Sequence, residues 1–403
     1  MSDTHSSNNN SQNKKNHNNF SDGKIFTVFA VCTYGLEEKL SEELKTIGFN
    51  NIVIEKSGCT FKSNLLGIQY ANLHSRIASR ILMQIEKNII DNEKDILDIS
   101  AQVRWDEWFD IRKTIKIKTI GYNTKFQSIQ YCTLLVKDGI CDYFRKIYNS
   151  RPNIDKQDPD IQIYSFIKQN TFTLYIDSSG ESLFKRGWRM NKGTAPIKEN
   201  LAAGLLALSG WTPEYSLLDP FCGSGTIIIE AAHIACSIPP GISRKFAFEK
   251  LNFHNNSNWN AVLEEASTNI NRTIEAELIG CDIDKTVLEY AKINLSNSGI
   301  NNNNIKFVHD DACNIKVANH NKGFIVTNPP YGERTCNEDI WYSWSHNLKE
   351  NFFNWDLNII SNDMSLPGKM RLKPKRKIPI FNGKLECRLF KFEIVKNSYR
   401  TQK

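Results

Sequence analysis

The chain has 403 residues, which is enough for two or three domains and a sizeable core. Hydrophobic residues make up 40%, and no apolar run approaches the ~20 residues of a membrane span, so a membrane partner is not expected. The net charge of +7 is uneven: through Phe184 there are 23 Lys and Arg against 22 Asp and Glu, and from Lys185 onward 28 against 22. A basic excess attracts phosphate backbones without reading sequence, and this one is too small to single out nucleic acid by itself. The ten cysteines form no CxxC pair and no Cys/His cluster with zinc spacing, which points to reduced thiols in a cytosol-like, cytoplasmic setting and to no metal site.

In chain order, residues 1–23 are mostly Ser, Asn, Gln and Lys, too polar to bury a core, and read as a disordered tail. The stretch has neither the apolar core of a secretory signal nor the arginines of a mitochondrial transit peptide. Residues 25–32 read as a strand, residues 35–48 as a helix with Leu36, Leu40, Leu44 and Ile47 on one face, and residues 51–55 and 59–62 as short strands. The mixture continues with a helix over 65–77 and strands over 81–90 and 116–120. A helix over 128–148 follows, with an apolar stripe of Tyr131, Leu134, Leu135, Ile140, Cys141 and Phe144. Residues 161–167 and 171–176 form a strand pair turned at Gln169-Asn170. This first half is a compact α+β region.

The polar stretch 178–193 reads as an interdomain linker, and beyond it the rhythm changes to α/β. A strand ends at Leu217-Leu218, a helix covers 226–235, a strand 278–281, a helix 285–298, and strands 305–309 and 324–327. Regular alternation predicts a doubly wound, Rossmann-like parallel sheet with ligands bound beyond the carboxyl ends of its strands. An insertion around 238–271 must separate the first two strands.

Four motifs fall at those strand ends. Asp219-Pro220-Phe221-Cys222-Gly223-Ser224-Gly225-Thr226 is a Gly-rich strand-to-helix turn. It is neither a P-loop nor the dinucleotide GxGxxG, since Ile228 stands at the third glycine position. An acid ahead of the glycines would repel pyrophosphate but suits an amino acid's ammonium group, such as S-adenosylmethionine carries. The plain alternative is an ordinary turn. In Ile279-Gly280-Cys281-Asp282-Ile283-Asp284, Asp282 is placed to accept ribose hydroxyls and Asp284 to cap the next helix. In His309-Asp310-Asp311-Ala312, Asp311 can take an adenine amino group or merely cap a helix. The fourth motif, Asn328-Pro329-Pro330-Tyr331-Gly332-Glu333-Arg334, has two prolines that stiffen an extended loop. The Asn328 side-chain oxygen and the Pro329 carbonyl can accept both hydrogens of an exocyclic amine, aiming its lone pair at an electrophile, while Tyr331 offers a face to a flipped base.

These residues resemble the class I amino-methyltransferases, which place an N/D-P-P-Y/F/W loop after a DPFxGxGT loop. Phe184–Arg189, Ala195–Ala203 and the ending Asn382–Arg388 are similar to the THUMP-containing RNA methyltransferases. Pro239-Pro240-Gly241 and Lys245–Lys250 are similar to the 23S rRNA guanine-N2 methyltransferases of the RlmL type. The resemblance implies S-adenosylmethionine as cofactor, held by Asp219, Phe221, Gly223, Gly225, Thr226, Asp282, Asp311 and Asn328. It implies catalysis by Asn328, Pro329, Pro330 and Tyr331, RNA as partner and N2-methylguanosine as product. It divides the chain into a tail (1–23), a ferredoxin-like piece (24–66), a THUMP domain (67–178) and a methyltransferase domain (179–403). Larger relatives carry a second methylase domain. The rivals are a tRNA guanine-N2 methyltransferase, an adenine-N6 DNA methylase and a non-catalytic RNA-binding assembly protein. A last candidate is the run Arg371-Leu372-Lys373-Pro374-Lys375-Arg376-Lys377, either a solvated loop or, with Arg334, a phosphate clamp at the edge of the site.

Overall fold

The computed structural model describes residues 20–191, 196–317, 321–330 and 339–395. The first half runs β1 (Phe26–Val31), α1 (Glu37–Ile47), β2 (Val53–Glu55), β3 (Gly58–Ser63), α2 (Leu65–His74), β4 (Arg80–Ile89), α3 (Glu93–Gln102), β5 (Ile115–Tyr122), α4 (Ile129–Tyr148), β6 (Ile161–Lys168) and β7 (Thr171–Asp177). The second half runs α5 (Glu199–Ser209), β8 (Ser216–Asp219), α6 (Thr226–Ala235), α7 (Asn256–Thr268), β9 (Leu278–Asp282), α8 (Lys285–Asn297), β10 (Ile305–His309), β11 (Gly323–Thr327), α9 (Asp339–Asn351), β12 (Asp356–Ser361), α10 (Leu366–Lys369), β13 (Arg376–Asn382) and β14 (Leu385–Glu393).

The first seven strands share one sheet, ordered β2-β3-β1-β4-β7-β6-β5. Its alternating strands bury one face, as the buried–half-buried pattern of β1 shows. Strand β4 pairs with both β1 and β7, so the two expected N-terminal pieces are hydrogen-bonded into one body, and the expected break at 66/67 falls inside α2. The ordered chain also begins before residue 24. Phe20 is buried against Phe49 and Tyr70, with ring centroids at 4.9 and 5.3 Å. In α4 the buried residues are Cys132, Leu135, Val136, Gly139, Ile140, Cys141, Tyr143 and Phe144, so the expected stripe holds at Leu135, Ile140, Cys141 and Phe144, whereas Tyr131 and Leu134 are 50% and 43% exposed. Gly139 fits closely against Leu97, Ser100 and Ala101 of α3, which brings small residues to the inner face.

The second sheet is ordered β10-β9-β8-β11-β12-β14-β13, parallel except for β14. The chain builds outward from β8 to β10, then returns to the other side of β8 with β11. That reversal makes a crevice between β8 and β11.

The expected interdomain linker is described over residues 178–191, and it is in large part a buried strap between the halves. Ser178, Ser179, Leu183, Arg186 and Trp188 are buried, and the segment laces the halves together. Ser178 N–H donates to the Ile81 carbonyl (3.0 Å) and the Ser179 hydroxyl to Asn72 Oδ1 (2.6 Å). Arg186 pairs through Nε with Glu230 of α6 (3.2 Å) and donates through Nη2 to the Arg76 carbonyl (2.6 Å). The expected insertion also serves this seam. Phe246 and Phe248 pack on Trp259 of α7, and Asn252 N–H reaches the Trp108 carbonyl at 3.0 Å. Both side chains of the Arg186–Glu230 pair are essentially inaccessible to solvent. Removing one member of such a pair leaves a buried charge uncompensated, so Arg186→Met should cost about 3–5 kcal/mol. The readout is the urea unfolding midpoint followed by tryptophan fluorescence, and an unchanged midpoint would show that the pair does not hold the seam.

Candidate active site

Strands β8, β9, β10 and β11 each end in a polar group at the same rim. In register, Asp219 lies opposite Gly280, His309 opposite Asp282, and Ile325 opposite Leu218. Short parallel strands of apolar residues bury themselves on both faces, so their first polar residues come where the strands leave the helical layers. The Gly-rich loop follows β8. Its turn closes with Gly225 N–H donating to the Cys222 carbonyl (2.9 Å) and Cys222 N–H to the Cys281 carbonyl (2.9 Å). Gly225 has φ +81°, and a side chain there would meet the Phe307 ring at 2.8 Å, so only glycine fits.

Asp219 is buried, and its Oδ1 accepts the Thr327 hydroxyl at 2.6 Å and Phe221 N–H at 3.2 Å. Burial pushes its carboxyl up to about 7, against the pull of those two hydrogen bonds and with a further push from Asp282. Thr327 is wholly buried and stands directly before Asn328. One hydrogen bond therefore ties the Gly-rich loop to the Asn-Pro-Pro loop. A second link is aromatic: Phe221 meets Trp344 of α9 edge-on at 5.1 Å and Trp341 at 6.4 Å.

Asp282 sits half-buried, with Oδ2 accepting Gly223 N–H (2.8 Å) and Oδ1 accepting Asp284 N–H (3.0 Å). Asp284 caps α8 by accepting Thr286 N–H at 2.8 Å. Asp311 accepts Cys313 N–H at 2.8 Å and so closes a turn; no helix begins there to be capped. Asn328 is half-buried, Pro329 buried and Pro330 exposed. Tyr331 and Arg334 lie outside the described residues.

The Thr226 hydroxyl accepts from Arg189 Nη2 at 2.7 Å, and Arg189 itself pairs with Glu199 at 2.9 Å. One expectation changes. The basic run does not clamp the crevice. It leads into β13, the outer edge strand, with β12 and β14 between it and β11. Lys375 is paired with Glu393, and the Arg371 guanidinium lies 4.6 Å over the Tyr342 ring. Lys373 and Arg376 are exposed on that far edge. Sequence reasoning gave no role to Thr327 or Arg189. Thr327 reads as one more strand residue, and Arg189's partners lie 8 to 37 residues away.

A Rossmann-like sheet with polar strand ends around a Gly-rich loop and an Asn-Pro-Pro loop is the architecture of a methyltransferase domain. Comparison with known proteins agrees. Residues 186–391 match the family described as RMKL-like, methyltransferase domain, and the chain belongs to that family. Residues 27–82 match the RlmL ferredoxin-like domain and residues 91–177 the THUMP domain. The ribosomal RNA large subunit methyltransferase K/L of Shewanella frigidimarina is 33% identical over 385 residues, 93% of this chain and 54% of that protein. The chain spans about half the length of the curated relatives it matches. Among solved structures, SMU.472, solved in complex with SAH, is similar with a TM-score of 0.84 and 26% identity over 94% of this chain and 100% of that one. A protein from Listeria monocytogenes described as a predicted N6-adenine-specific DNA methylase has a TM-score of 0.83 and 26% identity, covering 92% and 96%.

The methyl donor of this family is S-adenosylmethionine, and the residues present fit it. Gly223 has φ +52° and nothing within 4 Å on the side where a side chain would stand, which leaves room beside the Asp282 carboxylate. Among the described residues no group of three His, Cys, Asp or Glu side chains could hold a metal, and no helix is long and apolar enough to cross a membrane.

The Asp219 carboxyl carries a stability consequence. Its folded-state value lies above its ordinary one, so the contribution it makes is fully present below about pH 4 and is lost as pH rises through about 7. Asp219→Asn keeps an oxygen for Thr327 and Phe221 but cannot ionise. Without ligand, its melting temperature should exceed that of the parent protein at pH 8, and the gap should be much smaller at pH 5. A gap that is the same at both values would contradict the assignment.

Proposed function

We propose that this chain transfers a methyl group from S-adenosylmethionine to the exocyclic N2 amine of a guanine in large-subunit rRNA. The observation that carries the reading is the buried Thr327–Asp219 hydrogen bond at 2.6 Å, which fixes Asn328 and Pro329 beside the Gly-rich loop. S-adenosylmethionine supplies an electrophilic methyl group on a sulfonium centre. The protein's part is to position and polarise. Asp282 offers its carboxylate to the ribose hydroxyls, and Asp219 stands at the amino-acid end of the cofactor, whose ammonium group favours its ionised form. Asn328 Oδ1 and the Pro329 carbonyl accept the two hydrogens of the base amine, so its lone pair points into the crevice and the positive charge that grows on nitrogen during attack is matched. The buried Pro329 gives that carbonyl a fixed place. A flipped guanine stacks on Tyr331. The N-terminal sheet, with its THUMP match, holds the RNA by shape and backbone.

The rRNA substrate and the guanine N2 position rest on the names of the relatives and on the motif resemblance. The Asn-Pro-Pro loop by itself accepts any planar amine. The description of the Listeria relative favours a second reading, adenine-N6 methylation of DNA.

Asn328→Ala should lower turnover by about 10²–10³ while S-adenosylmethionine still raises the melting temperature. Near-normal turnover would remove Asn328 from the mechanism. The product is read by mass spectrometry of nucleosides after reaction with protein-free rRNA from a deletion strain, where N2-methylguanosine is expected. N6-methyladenosine alone would transfer the assignment to the second reading.

A further inference from the structure

The N-terminal body and the methylase domain leave a groove of about 790 Å³ between them. One wall is the loop after β1, with Tyr34, and the β2–β3 turn, with Lys56 and Ser57; the other is the start of α5, with Lys198, and the end of β13, with Phe381 and the facing Glu386. The walls are fixed against each other. Phe381 N–H donates to the Tyr34 carbonyl at 3.4 Å, the two rings meet at right angles with centroids 5.7 Å apart, and Gly35 (φ +94°) passes so close to Pro379 that a side chain would stand 2.2 Å from its carbonyl oxygen.

The groove opens on the rim that carries the site. Strands β12 and β13 are both antiparallel to β14, so β13 runs the same way as β11, and Phe381 near its end lies on the side of Asn328. Lys198 follows Ile197, whose carbonyl accepts from Arg189 Nη2 at 2.9 Å, and the same nitrogen donates to Thr226 at the start of α6. The start of α5 therefore adjoins the Gly-rich loop.

Its charge is positive. Lys56 and Lys198 are exposed, and among the described residues neither pairs with a carboxylate; each ammonium instead rests over an aromatic ring, Lys56 at 5.1 Å from Tyr122 and Lys198 at 4.9 Å from Phe184. Such contacts hold a lysine's direction while leaving its charge for a ligand. The one acid in the wall, Glu386, is matched by Arg388 at 2.8 Å. Tyr34 is 43% exposed, a large ring held in place with room for a base against it.

We propose that this groove carries a single strand of the substrate RNA flanking the methylated base, with backbone phosphates at Lys56 and Lys198 and one base stacked on Tyr34. Positive charge beside a fixed, exposed aromatic is the pairing that grips single-stranded nucleic acid without reading its sequence. The proposal rests on the RNA-methylation reading above, to which it adds the strand's path and the residues that hold it.

The test uses the full chain with Lys56→Gln/Lys198→Gln and, separately, Tyr34→Ala. The probes are a fluorescent 12-nucleotide oligouridylate and protein-free 23S rRNA. For the double variant, the log–log salt dependence of oligonucleotide affinity should fall by about 0.7 for each phosphate that is no longer neutralised. Its KM for rRNA should rise about tenfold, as expected when two backbone phosphates go unbound, with kcat and S-adenosylmethionine affinity kept. Tyr34→Ala should weaken the oligonucleotide by about fivefold or more. If the parent protein methylates rRNA and the double variant matches it in salt slope and KM, the groove is overturned and the function stands. If the parent methylates no RNA yet the salt slope falls in the variant, the groove stands and the rRNA reading falls. Equal loss of cofactor affinity in the double variant also counts against the groove.

Discussion

The Thr327 hydroxyl and Asp219 Oδ1, 2.6 Å apart and buried, join two loops that the chain separates by about a hundred residues. In the proposed function one loop takes the cofactor and the other the base. Methyl transfer needs donor sulfur, methyl carbon and acceptor nitrogen in line, and a misplacement of about 1 Å can cost on the order of 10²-fold in rate. Geometry that fine cannot come from loops that move separately. The parallel sheet supplies it by putting β8 next to β11, which makes Asp219 and Thr327 neighbours. Burial then strengthens the bond, at the cost of lifting the Asp219 carboxyl to about 7. In the proposed function the cofactor's ammonium group offsets that burial of an acid.

The same logic operates at the seam between the two sheets. A flexible tether would let an RNA-holding body drift relative to the reacting crevice. Here the strap is buried, and its Arg186 sits between Glu230 of the methylase domain and the Arg76 carbonyl of the N-terminal body. The inserted stretch with Phe246, Phe248 and Trp259 reaches Trp108 through Asn252. The two bodies are therefore tied at several points, as the proposed function needs if RNA held on the first is to reach the second in a fixed register.

Much of this was legible in the sequence because its signals are local. Strand β10 and helix α6 have the bounds that periodicity predicts, and the acid-and-glycine motifs stand at strand ends where a doubly wound sheet must bind ligands. The failures were all of longer range. The strap looks like a linker because its residues are polar, and its burial follows from partners up to 110 positions away. In α4 the count of apolar residues took in Tyr131 and Leu134, which stay exposed, because close packing against α3 brings Gly139 inward. Phe20 reads as the end of a polar tail until Phe49 and Tyr70 are seen to enclose it. The basic run looked like a clamp because sequence shows charges and not partners. Glu393 neutralises Lys375 from the neighbouring strand, and the run belongs to the far edge of the sheet.

The hydrogen bond between Thr327 and Asp219 clasps the two loops together, and Thr327→Val isolates it by removing one hydroxyl while keeping the side chain's shape. The measurement is the single-turnover rate of methyl transfer to protein-free rRNA at saturating S-adenosylmethionine, for the parent, Thr327→Val and Thr327→Ser. The rate should fall by on the order of 10²-fold in the valine variant, with the protein still folded by circular dichroism, and return close to the parent value in the serine variant. A valine variant that turns over at the parent rate would mean that Asp219 does not position Asn328, and that the two loops find each other by some other means.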